Sequence, residues 1–326
     1  MRRDFAQAMK GGVIAERAVR VRHYAEKATA DNTQRAMKSQ WNKFAAWCVQ
    51  ERCDRFPAEA QMVCDYITYL ADTGSSASTI DSALWAISKM HEMRKAPNPR
   101  KTSEVQLVRK GIRNEIGTRP DGCLPLMIEQ IRRIVEPLGS TSRDLRDRAL
   151  VLIGFAGAFR RSELEAMNME DVRPTEKGLE ITIPFSKGDQ QGEGDIVGIP
   201  LGKIPETCPV LAFSRWLRIL EVTHKERGST CPALFRSIGQ DRWPSGRLPA
   251  ADVGRILKGH LERIGVDATD YGAHSLRVGF ATVAYLAGKS RAAIQKHLRQ
   301  KTTTMTDRYI KPLDVFNLNP ADGIGL

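Results

Sequence analysis

Long apolar runs are missing from this 326-residue chain. No window approaches the roughly 20 apolar residues that a membrane-spanning helix needs, which argues against such a span. The N-terminal text MRRDFAQAMKGGVIAERAVRVRHYAEK is basic, yet it has neither an apolar core nor a small-residue cleavage site, so it does not read as a secretory signal. Cysteine is sparse: Cys48, Cys53, Cys64, Cys123, Cys208 and Cys231 form no CxxC pair and no Cys/His cluster with zinc spacing. They read as reduced thiols of a cytoplasmic protein. No carboxylate cluster suggests a metal site, and no internal repeat or low-complexity tract stands out. Excess negative charge is absent too. The net charge is +12, and residues 1–120 hold 21 Lys/Arg against 13 Asp/Glu. Such a basic excess points to a polyanionic partner, most commonly nucleic acid, with a merely soluble basic protein as the plainer alternative.

What is present is mostly helical in period, and the length suffices for two domains with separate cores. From Asn32 to Cys53, Met37, Trp41, Phe44, Ala45 and Cys48 recur at helical spacing. A second helix runs from Pro57 to Gly74, and a third is capped by Ser78 with Ile80, Leu84, Ile87 and Met90 on one face. A fourth, TSEVQLVRKGIRNEIG, sets Val105, Val108 and Ile112 opposite a cationic group of Lys101, Arg109, Lys110 and Arg113. GTRPDGCLP, Gly117–Pro125, combines two Gly and two Pro and reads as an interdomain linker. Two further helical patterns follow. Leu179–Phe185 then alternates as a half-buried strand, Ser186–Gly194 turns, and Asp195–Leu201 returns. Helical patterns resume from Cys208. The expected fold is mainly α: a basic arm (1–31), a helical domain (32–116), the linker (117–125), an α+β domain with a small antiparallel sheet (126–311) and a tail (312–326).

Four pieces of the second half can make chemistry together. Arg160 and Arg161 precede Ser162 and Glu163 at a helix junction, Lys187 tips the hairpin, His274 and Arg277 lie three apart on one helix face, and Tyr309 stands between Arg308 and Lys311. Each alone has an ordinary reading. A junction arginine usually pairs with a nearby carboxylate such as Glu163, a hairpin lysine is usually solvated, and a lone tyrosine usually decorates a surface helix. As a set they suit phosphoryl transfer, which needs cations around the phosphate oxygens, an in-line nucleophile and an acid for the leaving oxygen. Arginine clamps phosphate with a planar fork that keeps its proton. A tyrosine hydroxyl, ordinarily with a pKa near 10, needs cations and a base before it attacks.

These segments resemble the tyrosine recombinase (phage integrase) family. Its first box, Arg-x-Ser-Glu-Leu, fits Arg160-Arg161-Ser162-Glu163-Leu164, and its second, His-x-x-Arg, fits His274-Ser275-Leu276-Arg277, continuing Val278-Gly279. The pattern Thr-x-x-Tyr fits Thr306-Asp307-Arg308-Tyr309, 32 residues after Arg277. Lys187 occupies the family's hairpin position. Spacing and the N-terminal helices are similar to one member in particular. One departure stands out: nine residues before the tyrosine, where the family carries His or Trp after Leu-Gly, this chain has Gln300 preceded by Arg299. The Gln300 amide keeps a donor without an exchangeable proton, and His297, one turn earlier, is the other candidate for that place.

The resemblance implies a site-specific DNA recombinase that cuts and rejoins through a 3′-phosphotyrosine, needing neither ATP nor metal. Tyr309 is the implied nucleophile, Arg160 and Arg277 the phosphate clamp, Lys187 the acid for the 5′ oxygen, His274 a donor or base, and Glu163 a supporting carboxylate. Double-stranded DNA with inverted repeats is the implied partner, held in a C-shaped clamp by a protein that is monomeric in solution and tetrameric on a Holliday junction; no membrane or small-molecule substrate is implied. Lys43, Lys89, Arg94, Lys110, Arg247 and Arg255 are expected DNA contacts. Val315, Phe316 and Leu318 would dock on a neighbour or on their own domain. A type IB topoisomerase, a regulator that has lost catalysis, and a scaffold for acidic proteins stand as alternatives.

Overall fold

The structure is a computed structural model that describes residue 20, residues 31–117, 123–184 and 194–307, and residue 309. Lys187 and its hairpin tip, nearly all of the basic arm, the middle of the linker, Arg308, Lys311 and the tail with Val315, Phe316 and Leu318 lie outside the described residues. The chain divides into two compact units, Met1–Asp121 and Gly122–Leu326.

Unit 1 is helical: α1 (Asp31–Gln50), α2 (Ala60–Asp72), α3 (Ala77–Met93) and α4 (Ser103–Ile116). Helix α1 packs on α3, and α2 on α4. The apolar stripe read from the sequence is buried at Trp41, Phe44, Ala45 and Cys48, and Trp47 joins it to complete an aromatic cluster with Tyr66. Two boundaries differ from expectation. Helix α2 starts at Ala60 rather than Pro57, after a cis Phe56–Pro57 bond and with Glu59 as its extended N-cap residue. Helix α3 is capped by Ser76, whose hydroxyl accepts from the Thr79 N–H at 3.3 Å, whereas Ser78 lies inside the helix. The buried His91 joins this core to its loop: Nε2 accepts from the Ala58 N–H at 2.9 Å, and Nδ1–H donates to the Ile87 carbonyl at 2.8 Å.

Unit 2 holds α5 (Ile128–Val135), α6 (Ser142–Ala156), α7 (Arg161–Ala166), α8 (Pro209–Arg227), α9 (Ala250–Arg263), α10 (His274–Leu286), α11 (Arg291–His297) and α12 (Thr303–Asp307). Helix α6 is its spine, packed against α8 and α10 with Leu150, Val151 and Ile153 buried. Strands β1 (Val172–Thr175), β2 (Gly178–Ile183) and β3 (Asp195–Pro200) form an antiparallel sheet in the order β1-β2-β3. Leu179 lies opposite Ile199 and Ile181 opposite Val197, so the alternation places four apolar side chains on the buried face. Strand β1 and a separate ribbon of β4 (Arg236–Ile238) and β5 (Pro244–Arg247) were not foreseen. These strands are three or four residues long, too short for alternation to register.

Candidate active site

Three short turns bring distant cations together in unit 2. The first follows α6. Ala158 takes a left-handed conformation (φ 48°), Phe159 is fully buried, and Arg160 becomes the extended residue that opens α7. The Arg160 backbone N–H donates to Glu163 Oε2 at 2.9 Å, while its guanidinium Nη1 donates to Glu163 Oε1 at 2.5 Å. The local pairing foreseen for a junction arginine is therefore present.

The second is the start of α10, where His274 and Arg277 share a face. Gly279 seats this helix, because a Cβ there would overlap the Leu126 backbone, and the Leu126 N–H donates to the Ser275 carbonyl at 3.1 Å. Arg277 is fully buried, donating from Nη1 to the Ala158 carbonyl at 2.7 Å and from Nη2 to the Leu298 carbonyl. Burial lowers its pKa, and the neighbouring Arg160 and Arg299 push the same way. It remains a cation at neutral pH.

The third turn follows α11 and holds the departure from the family pattern. Arg299 is left-handed (φ 54°), and its side chain is only 4% exposed. Its Nη1 donates to the carbonyls of Gly157 and His297, and Nη2 to the Ala158 carbonyl and Glu163 Oε2 (2.9 Å). Burial pushes the Glu163 carboxyl up, but Arg299, the Arg160 N–H and the Arg160 guanidinium together outweigh it and hold the pKa below the ordinary value.

Tyr309 lies against this cluster. Its ring centroid is 5.1 Å from that of His274, and the Arg277 guanidinium carbon is 5.7 Å from the centre of the ring. The backbone is fixed as well: Tyr309 N–H donates to the Thr306 carbonyl at 2.9 Å, and Thr282 Oγ1 donates to the Tyr309 carbonyl at 3.1 Å. His274 is driven to a pKa of about 4, first by burial and then by Arg277, Arg160 and Arg161, so its imidazole is neutral at physiological pH.

Gln300 and His297 separate clearly. His297 Nε2 is 2.9 Å from the Ala156 carbonyl, and its ring stacks on Phe280 with centroids 4.4 Å apart. Gln300 is 7% exposed, its Oε1 accepts from Thr306 Oγ1 at 2.7 Å, and its Nε2 is buried without a partner. That Thr306 bond gives the Thr-x-x-Tyr spacing a physical role. Among the described residues four buried side-chain polar atoms lack a partner, and three of them are the N–H donors Arg277 Nε, Arg299 Nε and Gln300 Nε2. Leaving a buried donor unpaired costs about 1–3 kcal/mol, so those of Arg277 and Gln300 suit an anionic ligand.

Sequence reasoning missed the part played by Arg299, though an arginine where the family has glycine was the available signal. Four of the expected DNA contacts lie in unit 1 and two in unit 2. Lys43 and Lys110 are exposed, Lys89 pairs with Glu92 at 2.8 Å, and Arg94 lies over the Phe56 ring. Arg255 pairs with Asp252, and Arg247 is committed to the Glu165 carbonyl and Asn168 Oδ1. In the α4 cationic group, Arg109 and Arg113 both bind Asp81, at 2.6 and 2.8 Å.

Comparison with known proteins shows the family. Residues 126–314 match the phage integrase family. An integrase/recombinase xerD homolog of Selenomonas ruminantium is 34% identical over 299 residues, covering 90% of this chain and 85% of that protein. The Cre recombinase of Escherichia phage P1, the member favoured from the sequence, is 25% identical over 306 residues, covering 88% of this chain and 86% of that protein. The identity to the xerD homolog is thus the higher of the two, which corrects the sequence-level preference for Cre. A lambda integrase tetramer bound to a Holliday junction shares the fold, with a TM-score of 0.59, 15% identity and coverage of 89% of this chain and 74% of that one. The chain belongs to the phage integrase family and is a tyrosine recombinase, a site-specific recombinase acting on DNA.

Proposed function

We propose that Tyr309 is the nucleophile and that the Arg160–Arg277–His274–Gln300 cluster receives the scissile phosphate. The observation that carries this reading is the tyrosine ring packed on His274 and Arg277 beside buried N–H donors that have no protein partner. The Tyr309 hydroxyl oxygen attacks phosphorus, the bond to the 5′ oxygen breaks, and the phosphate stays on the protein as a 3′-phosphotyrosine. Arg160, Arg277 and Arg299 set against Glu163 leave two net positive charges, with His274 neutral, to meet the negative charge that develops. Neutral His274 has one ring nitrogen to accept the phenol proton and one N–H to offer a phosphate oxygen. Gln300 Nε2 donates to a non-bridging oxygen in the place of the family's ring N–H. Lys187 is assigned to the leaving 5′ oxygen on the family resemblance alone.

The partner is duplex DNA carrying inverted repeats, bound by unit 1 and unit 2 as a tetramer in the manner of the lambda integrase complex, and the site of action is the cytoplasm. Joining the two units through residues 117–125, and the likeness to Cre in the N-terminal helices, belong to the same reading. The experiment is trapping on a nicked duplex built from the inverted repeats that flank the gene. A covalent adduct forms with the wild type and none with Tyr309→Phe. The presence of Gln300 at the His/Trp position favours a second reading, a DNA-binding regulator without cleavage, and absence of adduct from both proteins would support it.

A further inference from the structure

We propose that Arg299 is a positioning residue for strand cleavage: it fixes the Glu163 carboxylate and, through it, the Arg160 guanidinium that meets the phosphate. The inference rests on the reading that Tyr309 attacks DNA at this cluster.

The backbone gives the first argument. Arg299 sits in the left-handed region, which costs an ordinary L-residue about 1–2 kcal/mol and glycine almost nothing. A side chain kept at such a position must return that cost through its contacts. The contacts are dense: the guanidinium bridges the Gly157, Ala158 and His297 carbonyls and Glu163, and lies 5.2 Å from the centre of the Phe159 ring. One end of this bridge is the turn that delivers Arg160, and the other is the residue next to Gln300.

Glu163 gives the second. Its two oxygens are divided, Oε1 to the Arg160 guanidinium and Oε2 to Arg299 Nη2 and the Arg160 backbone N–H. The charges acting on this carboxylate and its partners come from three other segments as well: Arg299 after α11, Arg277 on α10, and Asp195 at the start of β3, which acts on Arg299. Without Arg299 the buried carboxylate would keep Arg160 as its only hydrogen-bonding cation. It would then pull that guanidinium inward, away from a phosphate, and take up a proton more readily. Unlike Arg277, Arg299 spends Nη2 on the Glu163 carboxylate, so its charge is directed at that group rather than at a phosphate.

The test is single-turnover cleavage of the nicked duplex at saturating protein from pH 3.5 to 8.5, with DNA affinity measured in parallel. Arg299→Gly suits the backbone conformation. It should bind DNA as the wild type does, cleave about ten- to a hundredfold more slowly at pH 7.5, and move the acid limb of the rate profile upward by about one pH unit. Arg299→Lys restores the charge without the fork and should return the limb more fully than the rate. Should the glycine variant fail to fold by circular dichroism, Arg299→Gln decides by the same limb. Wild-type rates, or a slower rate with an unmoved limb, overturn the proposal while leaving the Tyr309 assignment intact. An adduct from Tyr309→Phe overturns both.

Discussion

Unit 2 contains two buried ionic clusters built from the same residue types, and they differ in how their hydrogen bonds are spent. In the first, Arg146 Nε donates to Asp147 Oδ1, Arg146 Nη1 donates to the Arg236 carbonyl at 3.0 Å, and His260 Nε2 donates to Asp147 Oδ2 at 2.9 Å. None of the buried unpartnered atoms belongs to this trio. In the second, around Glu163, cations outnumber the carboxylate, a histidine is held neutral, and three donors are unspent. A closed network of this kind serves the fold, because every desolvated group has its partner. The open network is poor as a stabiliser and good as a receptor for an anion. Burial alone does not separate the two, whereas the surplus of cations and the unspent donors do.

That contrast can be broken most sharply at Tyr309. Its phenylalanine variant should abolish the covalent adduct on nicked DNA while leaving the thermal melting curve nearly unchanged. Next in size, Asp147→Ala removes the carboxylate of the closed cluster and should lower unfolding free energy by about 3–5 kcal/mol, read by urea denaturation, with the cleavage rate per folded molecule unaltered. Arg277→Lys attacks the open cluster and should slow single-turnover cleavage by about 10²–10³-fold. If the two variants exchanged phenotypes, the distinction between the clusters would be wrong. A smaller effect concerns Gln300: its alanine variant loses one donor, costing about 1–3 kcal/mol of transition-state stabilisation, and Gln300→His should recover most of that rate.

The smallest prediction is a pH dependence of stability. His274 is neutral in the folded protein down to about pH 4, whereas an unperturbed imidazole takes a proton near 6.5. Between these values the unfolded chain binds a proton that the folded chain refuses, so stability falls as the pH drops from 6.5 towards 4. Acid denaturation of His274→Gln should show a shallower slope in that window, and an unchanged slope would contradict the burial described for this imidazole.

Much of the open cluster was legible because its signatures are short and local. Arg160 to Leu164, His274 to Arg277 and Thr306 to Tyr309 each fit within one or two helical turns, so the family's short boxes could be matched by eye, and the structure brings His274, Arg277 and Tyr309 into contact. The strand pair β2 and β3 was legible for the same reason, its alternation surviving over six residues in each strand. Long-range choices were not legible. Arg299 reaches Glu163 across 136 residues, and nothing near either residue announces the other. The preference for Ser76 over Ser78 as a cap depends on where the chain enters the helix, which hydroxyl chemistry cannot report. The hydrogen bonds of Arg247 to the Glu165 carbonyl and Asn168 likewise span about eighty residues and could not be read from its neighbours in sequence.

The seat beneath α10 carries a mechanical corollary. Gly279 allows no clearance above Leu126, and the Leu126 N–H donates to the Ser275 carbonyl, so the chain at residue 126 packs directly on the start of the helix that bears His274 and Arg277. Not even a methyl group can be slipped in at that spot, so any bulkier residue at 279 would have to displace either the helix or the chain that enters the unit.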